Sequence, residues 1–136
     1  QQTHDNALVL PIRFRQMFGG GWRPVGIVAA AGIVALETMM ERLHIDHAHA
    51  RQLADGLSSQ PALGIDKSQV ESNIVLVRPD TMGPETLAAA LAREGVLVLP
   101  FGEDVRLVTH HEITENAIEI TLKAFYSVLS GASRGP

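Results

Sequence analysis

The sequence predicts an α/β fold, with a long connecting helix followed by a small α/β sandwich whose sheet is mainly antiparallel. Three observations carry that expectation. Apolar residues recur from Ala29 to Leu57 at alternating steps of four and three, the period of one helix face. Beyond Pro61 the pattern changes to short β-branched runs alternating with helical stretches. Two of those runs, Val96 to Phe101 and Val105 to Thr109, are separated by Gly102-Glu103-Asp104, the composition of a hairpin turn, which pairs strands antiparallel.

Taken in order, residues 1 to 13 read as a poorly specified lead-in whose apolar run Ala7 to Leu10 is stopped by Pro11. Arg13 to Phe18 reads as a short helix ending in Gly19-Gly20-Gly21, where a positive φ costs nothing. Pro24 suits the first turn of the long helix, since its missing N–H is no loss there. That helix carries Ala29, Ile33, Leu36, Met40, Leu43, His47, Ala50, Ala54 and Leu57 on one face and ends at Gly56, Ser58, Ser59 and Pro61. A straight helix from Pro24 to Leu57 would run to about 50 Å, so a bend is expected, at Leu43 to Asp46. A strand is expected around Ile74 to Val77, ended by Pro79 and Asp80, then a helix from Glu85 to Glu94 stopped by Gly95. Thr114 and Glu115 start the last helix, with Ile118, Leu122, Phe125 and Leu129 on its inner face. The expected domain division is 1–23 as lead-in and glycine turn of a larger domain, then 24–136 as long helix plus small α/β domain, disordered from about residue 130.

Composition narrows the function. A chain of 136 residues with 46% hydrophobic content buries one core. A net charge of -4, with 11 basic residues scattered along the sequence, leaves no electrostatic footprint for nucleic acid. With no cysteine there is no disulfide framework or thiolate metal site, and the composition is compatible with a reducing compartment; the expected localisation is cytoplasmic. The apolar run Val25 to Met40 is interrupted by Gly26, Gly32, Glu37 and Thr38 and is too short for a membrane span. It reads as a buried or interfacial helix, and the small residues Ala29 to Gly32 would let another backbone come close.

Gly19-Gly20-Gly21-Trp22-Arg23-Pro24 is the most informative stretch, because glycine amides running into a helix can approach an anion and the arginine supplies charge. Taken by itself, such a turn most often exists only to redirect the chain. Further blocks follow in order: Ala29-Ala30-Ala31-Gly32 with Ala35-Leu36-Glu37, Asp46-His47-Ala48 with Ala50-Arg51, Glu71-Ser72-Asn73, Gly95 to Val98 with Pro100-Phe101-Gly102, and Arg106-Leu107-Val108-Thr109-His110. From about Phe14 to Phe125 this succession resembles the C-terminal part of the low-specificity threonine aldolases, pyridoxal-phosphate enzymes of the aspartate-aminotransferase fold type (fold type I).

The resemblance implies the fold of the C-terminal small domain of such enzymes. It also implies a parent enzyme that cleaves threonine or allo-threonine, or other β-hydroxy-α-amino acids, to glycine and an aldehyde, with pyridoxal 5′-phosphate as cofactor. The parent would be a homo-dimer or homo-tetramer. Arg23, with Gly20 and Gly21, would lie near the cofactor phosphate, and Arg106 would grip the α-carboxylate of the substrate, a task suited to a planar two-pronged donor. Where many members carry a basic residue before the glycines this chain has Gln16, and Pro24-Val25 follows the arginine in place of the usual Gln-Ala. The lysine that bonds the cofactor is not matched, since Lys67 and Lys123 are the only lysines and neither has that context. The chain also opens at Gln1-Gln2-Thr3 without an initiator methionine. The expectation is therefore a C-terminal piece of a larger enzyme, inactive alone, with no catalytic residue of its own.

Simpler readings stand beside these. An arginine flanked by Val105, Leu107 and Val108 is ordinarily a strand residue facing solvent, with Val105 and Leu107 on the opposite face. His110 at a strand end is ordinarily structural, and His111 is expected to be exposed. His44, His47 and His49 do not share a face, so no metal site is expected, and Asp46 reads as an exposed helix charge. Glu37 and Glu41 read as a solvated face, and Trp22 as an interface or core residue. Two other functions stay open: another fold-type I lyase or transaminase, since a carboxylate arginine serves any amino acid, and a noncatalytic α/β interaction domain.

Overall fold

Helix α1 (Gln2–Met17) runs through Pro11, so the expected lead-in is helical and the proline interrupts one hydrogen bond of a helix instead of stopping it. The computed structural model describes residues 2–21 and 23–132, and its contacts divide the chain into Gln1–Met40 and Glu41–Pro136. The division falls within the helical run between Val25 and Leu57. Trp22 and the last four residues of the expected disordered tail lie outside the described residues, but residues 130 to 132 are helical.

In the first unit α1 ends in a double hydrogen bond typical of a glycine cap. The Gly19 amide donates to the Gln16 carbonyl (3.2 Å) and the Gly20 amide to the Arg15 carbonyl (2.7 Å), with Gly19 at φ +84°. A Cβ at Gly20 would collide with the Arg15 side chain and carbonyl, so the cap needs glycine at both places. Helix α2 (Val25–Val34) follows Pro24 and is apolar along its whole length, with no buried residue.

The single long helix expected from Pro24 to Leu57 is broken up. After α2 come a π turn (Ala35–Met39) and a 3-10 turn (Met40–Arg42), and only then α3 (Leu43–Leu57). The irregularity thus precedes Leu43 to Asp46, which is regular helix. A local cause is visible, since the Thr38 hydroxyl donates to the Val34 carbonyl (2.7 Å), the back-bonding that loosens the ordinary ladder.

In the second unit four strands form one sheet in the order β1-β2-β4-β3, with every pairing antiparallel: β1 (Leu63–Gly64), β2 (Ile74–Pro79), β3 (Leu99–Phe101) and β4 (Asp104–Val108). The antiparallel sheet was expected; the two-residue β1, which pairs with Arg78 and Pro79, was not. β3 begins at Leu99 instead of Val96, because Val96 is used to finish helix α4 (Pro84–Arg93): its amide donates to the Leu91 carbonyl (2.9 Å) beside the Gly95 to Ala92 bond. The β3–β4 hairpin turns on two residues, with Gly102 at φ +61° and Glu103 at negative φ, the pattern of a type II′ turn. Helix α5 (Glu115–Ala132) starts where expected, the Ala117 amide donating to the Thr114 hydroxyl (3.3 Å).

Alternation sorts the sheet into two unlike faces. Val75, Val77, Val105 and Leu107 point to the helices and are buried with Ala50, Leu53, Ala54 and Leu57 of α3, Leu87 and Leu91 of α4, and Ile118, Phe125 and Leu129 of α5. Burying each large side chain of this kind contributes about 1.5–3 kcal/mol, which makes this face the core. Ile74, Leu76, Leu99, Phe101 and Val108 point the other way and are exposed. Arg106 stands among them.

Candidate functional site

Register places Arg106 at the centre of the open face. On one side it is opposite Leu76 of β2, on the other opposite Leu99 of β3. Phe101, two residues beyond Leu99 on the same face, is its diagonal neighbour, and the guanidinium carbon lies 5.8 Å from the Phe101 ring centroid. The Nε atom of Arg106 is buried and has no acceptor among the described residues. Any ligand must therefore be taken by the two terminal nitrogens, as an end-on fork. Leu97, Val98, Leu99, Val108 and His110 complete a wide-mouthed cavity of about 320 Å³ around it. Among the described residues no carboxylate pairs with this guanidinium, and a cation with apolar neighbours is chemistry suited to a small anionic ligand.

A larger cavity on the same face, about 540 Å³, lies beside Arg78 and is lined in part by Gly64, Asp66, Ser72 and Asp104. Its chemistry is already satisfied. Arg78 donates through Nε to Asp104 (2.9 Å) and lies 3.3 Å from a Glu103 oxygen, and the Asp104 hydrogen bond is the main cause that raises its pKa. In the turn before β2, Asp66 accepts from the Ser68 hydroxyl (2.6 Å), the Ser68 amide (3.0 Å) and Gln69 (2.9 Å), and these bonds hold its carboxyl below the usual range. The smaller cavity holds the uncommitted charge, so chemistry favours it over volume.

The end of β4 is pinned by hydrogen bonds among Asn73, Thr109 and Asp46, three residues of separate sequence blocks whose pairing was not expected. The Thr109 amide donates to the Asn73 carbonyl (2.9 Å), Asn73 Nδ2 donates back to the Thr109 carbonyl (2.7 Å), and the buried Thr109 hydroxyl donates to the Asp46 carbonyl (2.6 Å). Asp46 corrects an expectation: it is 5% exposed, with Oδ2 3.2 Å from Arg42 Nη1 and Oδ1 buried without a partner among the described residues. It is buried because the interior stripe of α3 runs through Asp46, Ala50, Leu53, Ala54 and Leu57, leaving Leu43 exposed.

The histidines part company. His44 donates through Nδ1 to the Glu41 carbonyl (2.8 Å), whereas His49 Nδ1 is buried without a partner among the described residues. His110 lines the Arg106 cavity, and its Nδ1 accepts from the Glu112 amide (3.4 Å). His111 is exposed, as are Glu37 and Glu41. No group of three metal-binding side chains forms among the described residues. Both lysines are exposed and ion-paired, Lys67 with Asp55 at 3.1 Å and Lys123 with Glu119 at 3.6 Å.

At the other candidate site the amide of Gly20 is committed to Arg15, as described above. An anion approaching this turn in its present conformation meets the exposed Arg23 and the Gly21 region, not the Gly20 amide. Arg23 and Arg106 belong to different units.

The sequence of residues 4–80 matches the family model of the beta-eliminating lyases. The chain belongs to the beta-eliminating lyase family. Members are pyridoxal-phosphate lyases of fold type I, and the helices with an antiparallel sheet agree with a part of that fold. Among curated relatives of this family member, a probable low-specificity L-threonine aldolase 2 of Arabidopsis thaliana is 36% identical over 118 residues, covering 84% of this chain and 33% of the relative. A low-specificity L-threonine aldolase 1 of the same plant is 30% identical over 119 residues, 85% of this chain and 33% of the relative. The low specificity L-threonine aldolase of Escherichia coli K12 is 36% identical over 107 residues, 79% of this chain and 31% of the relative. The chain thus spans about a third of the length of these relatives.

Proposed function

We propose that this chain is the part of a threonine aldolase that holds the substrate carboxylate, in an enzyme releasing glycine and an aldehyde from threonine, allo-threonine or related β-hydroxy-α-amino acids. The observation that carries the reading is the Arg106 guanidinium, left without a carboxylate on an open apolar face. Pyridoxal phosphate, when bound, supplies the electron sink that lets the Cα–Cβ bond break. Arg106 fixes the amino acid by its carboxylate, and Leu76, Leu99 and Val108 around it offer no competing acceptor for the guanidinium. Arg23 stands as the phosphate partner, with Gly21 beside it and Gly20 as the cap that shapes the turn. Neither Lys67 nor Lys123 fits the role of the lysine that bonds the cofactor, both being exposed and ion-paired.

The apolar α2 supports assembly as a homo-dimer or homo-tetramer. Ile27 is 76% and Val34 is 57% exposed, and a helix apolar all round is ordinarily covered. Among the described residues no helix is long and apolar enough to cross a membrane, and a cytoplasmic enzyme is the reading we favour.

The family description favours one second reading, a lyase that eliminates at Cβ instead of cleaving the carbon–carbon bond. The complete enzyme, supplied with pyridoxal phosphate and threonine, separates the two by product. Glycine with acetaldehyde is the expected outcome; ammonia with 2-oxobutanoate would assign elimination.

A further inference from the structure

We infer that Phe101 is a positioning residue for the carboxylate site, holding the guanidinium of Arg106 in the plane from which its two terminal nitrogens face the ligand. The inference rests on the reading of Arg106 given above. An arginine side chain has several rotatable bonds, and a fork aimed at a carboxylate needs its plane fixed. The usual means is hydrogen bonding through Nε, but Nε of Arg106 is buried with no acceptor among the described residues. Its strand neighbours Leu76 and Leu99 offer no acceptor either, being aliphatic. Asp104, on the same face, is taken by Arg78 at 2.9 and 3.4 Å. What remains is the Phe101 ring, 5.8 Å from the guanidinium carbon, which fixes the plane through its π face without drawing charge away from the fork. Phe101 is 55% exposed, so its place on the open face is not explained by burial in the core. Its position next to Gly102 sets it at the root of the hairpin, where the turn fixes its direction.

The test is made on the complete enzyme with Phe101→Leu, Phe101→Tyr, Arg106→Lys and the Phe101→Leu/Arg106→Lys pair, reading KM and kcat for threonine and the Nε–H resonance of Arg106. Phe101→Leu should raise KM about five-fold with kcat nearly unchanged, the size of one cation–π contact. Phe101→Tyr should restore KM, and in the Arg106→Lys background Phe101→Leu should add almost nothing. The Arg106 Nε–H resonance should lose its ring-current shift in the leucine variant and keep it in the tyrosine variant. If Arg106→Lys is harmful but Phe101→Leu leaves KM unchanged, acts by the same factor in both backgrounds, or is not rescued by tyrosine, this inference fails while the carboxylate reading stands. If Arg106→Lys is itself without effect, the carboxylate reading falls, and the positioning role with it.

Discussion

The hydroxyl of Thr109 donates over 2.6 Å to the backbone carbonyl of Asp46, joining the strand end next to Arg106 to the interior face of α3. The donor is 1% exposed, so water cannot replace the bond. Thr109→Val keeps the shape and removes the donor, and it should lower unfolding free energy by about 1–2 kcal/mol in denaturant titration. Thr109→Ser should be milder, since it keeps the hydroxyl.

Arg106→Lys keeps the charge but loses the two-pronged geometry. In the complete enzyme kcat/KM for threonine should fall roughly 30- to 1,000-fold, on the order of 2–4 kcal/mol of transition-state stabilisation, while cofactor binding survives. Arg23→Lys should act the other way round, weakening cofactor retention first and activity in consequence. Steady-state kinetics beside a cofactor titration separate the two. A kcat/KM for Arg106→Lys within two- or three-fold of the parent would return Arg106 to an ordinary strand residue.

Arg78 keeps Asp104 occupied two residues from Arg106 on the same face. Removing it should let the carboxylate compete with substrate for the guanidinium. Arg78→Ala is therefore expected to raise KM for threonine, and Arg78→Ala/Asp104→Asn to bring it back down. A rise that the asparagine does not reverse would mean that the pair acts on folding alone.

Gly56 marks the close approach of α3 and α5, where an added Cβ would come within 2.6 and 2.9 Å of the two Leu122 methyl carbons. Gly56→Ala should lower stability by about 1–2 kcal/mol despite the gain in helix propensity. In a Leu122→Ala background the same substitution should change sign and stabilise by about 1 kcal/mol. Thermal unfolding of the four proteins checks the reversal.

The Asp66 carboxyl is held below the ordinary carboxylate value chiefly by the Ser68 hydroxyl. A depressed folded value means that its contribution to the turn is present above the ordinary value and is lost as pH falls through the depressed one. Ser68→Ala should move the Asp66 midpoint upward in a carboxyl NMR titration. An unchanged midpoint would show that the Ser68 amide and Gln69 set it without the hydroxyl.

How much was legible in the sequence depended on whether the cause was local. The glycine cap after α1, the Thr114 start of α5 and the Gly102 hairpin are fixed by residues within a turn of one another, and they were readable. Alternation around Arg106 correctly put Val105 and Leu107 on the other face. The partners of Arg106 and Asp46 were not readable, because they come from cross-strand register and from contacts such as that of Thr109 with Asp46. The helical period ran on through Ala35 to Arg42 in the sequence although the backbone leaves the regular helix there, since a π or 3-10 turn changes the hydrogen-bond spacing without changing the residue types. For the same reason the predicted stripe passed through Leu43 and His47 when the buried one passes through Asp46 and Leu53.

The two outer strands carry a consequence of their own. One outer strand, β1, has two residues, and the other, β3, has three, of which the middle one is Pro100, a residue with no amide hydrogen to offer. A neighbouring chain seeking to extend the sheet would find almost no ladder to copy on either side. The apolar open face can therefore stay exposed without inviting fibril growth by strand addition.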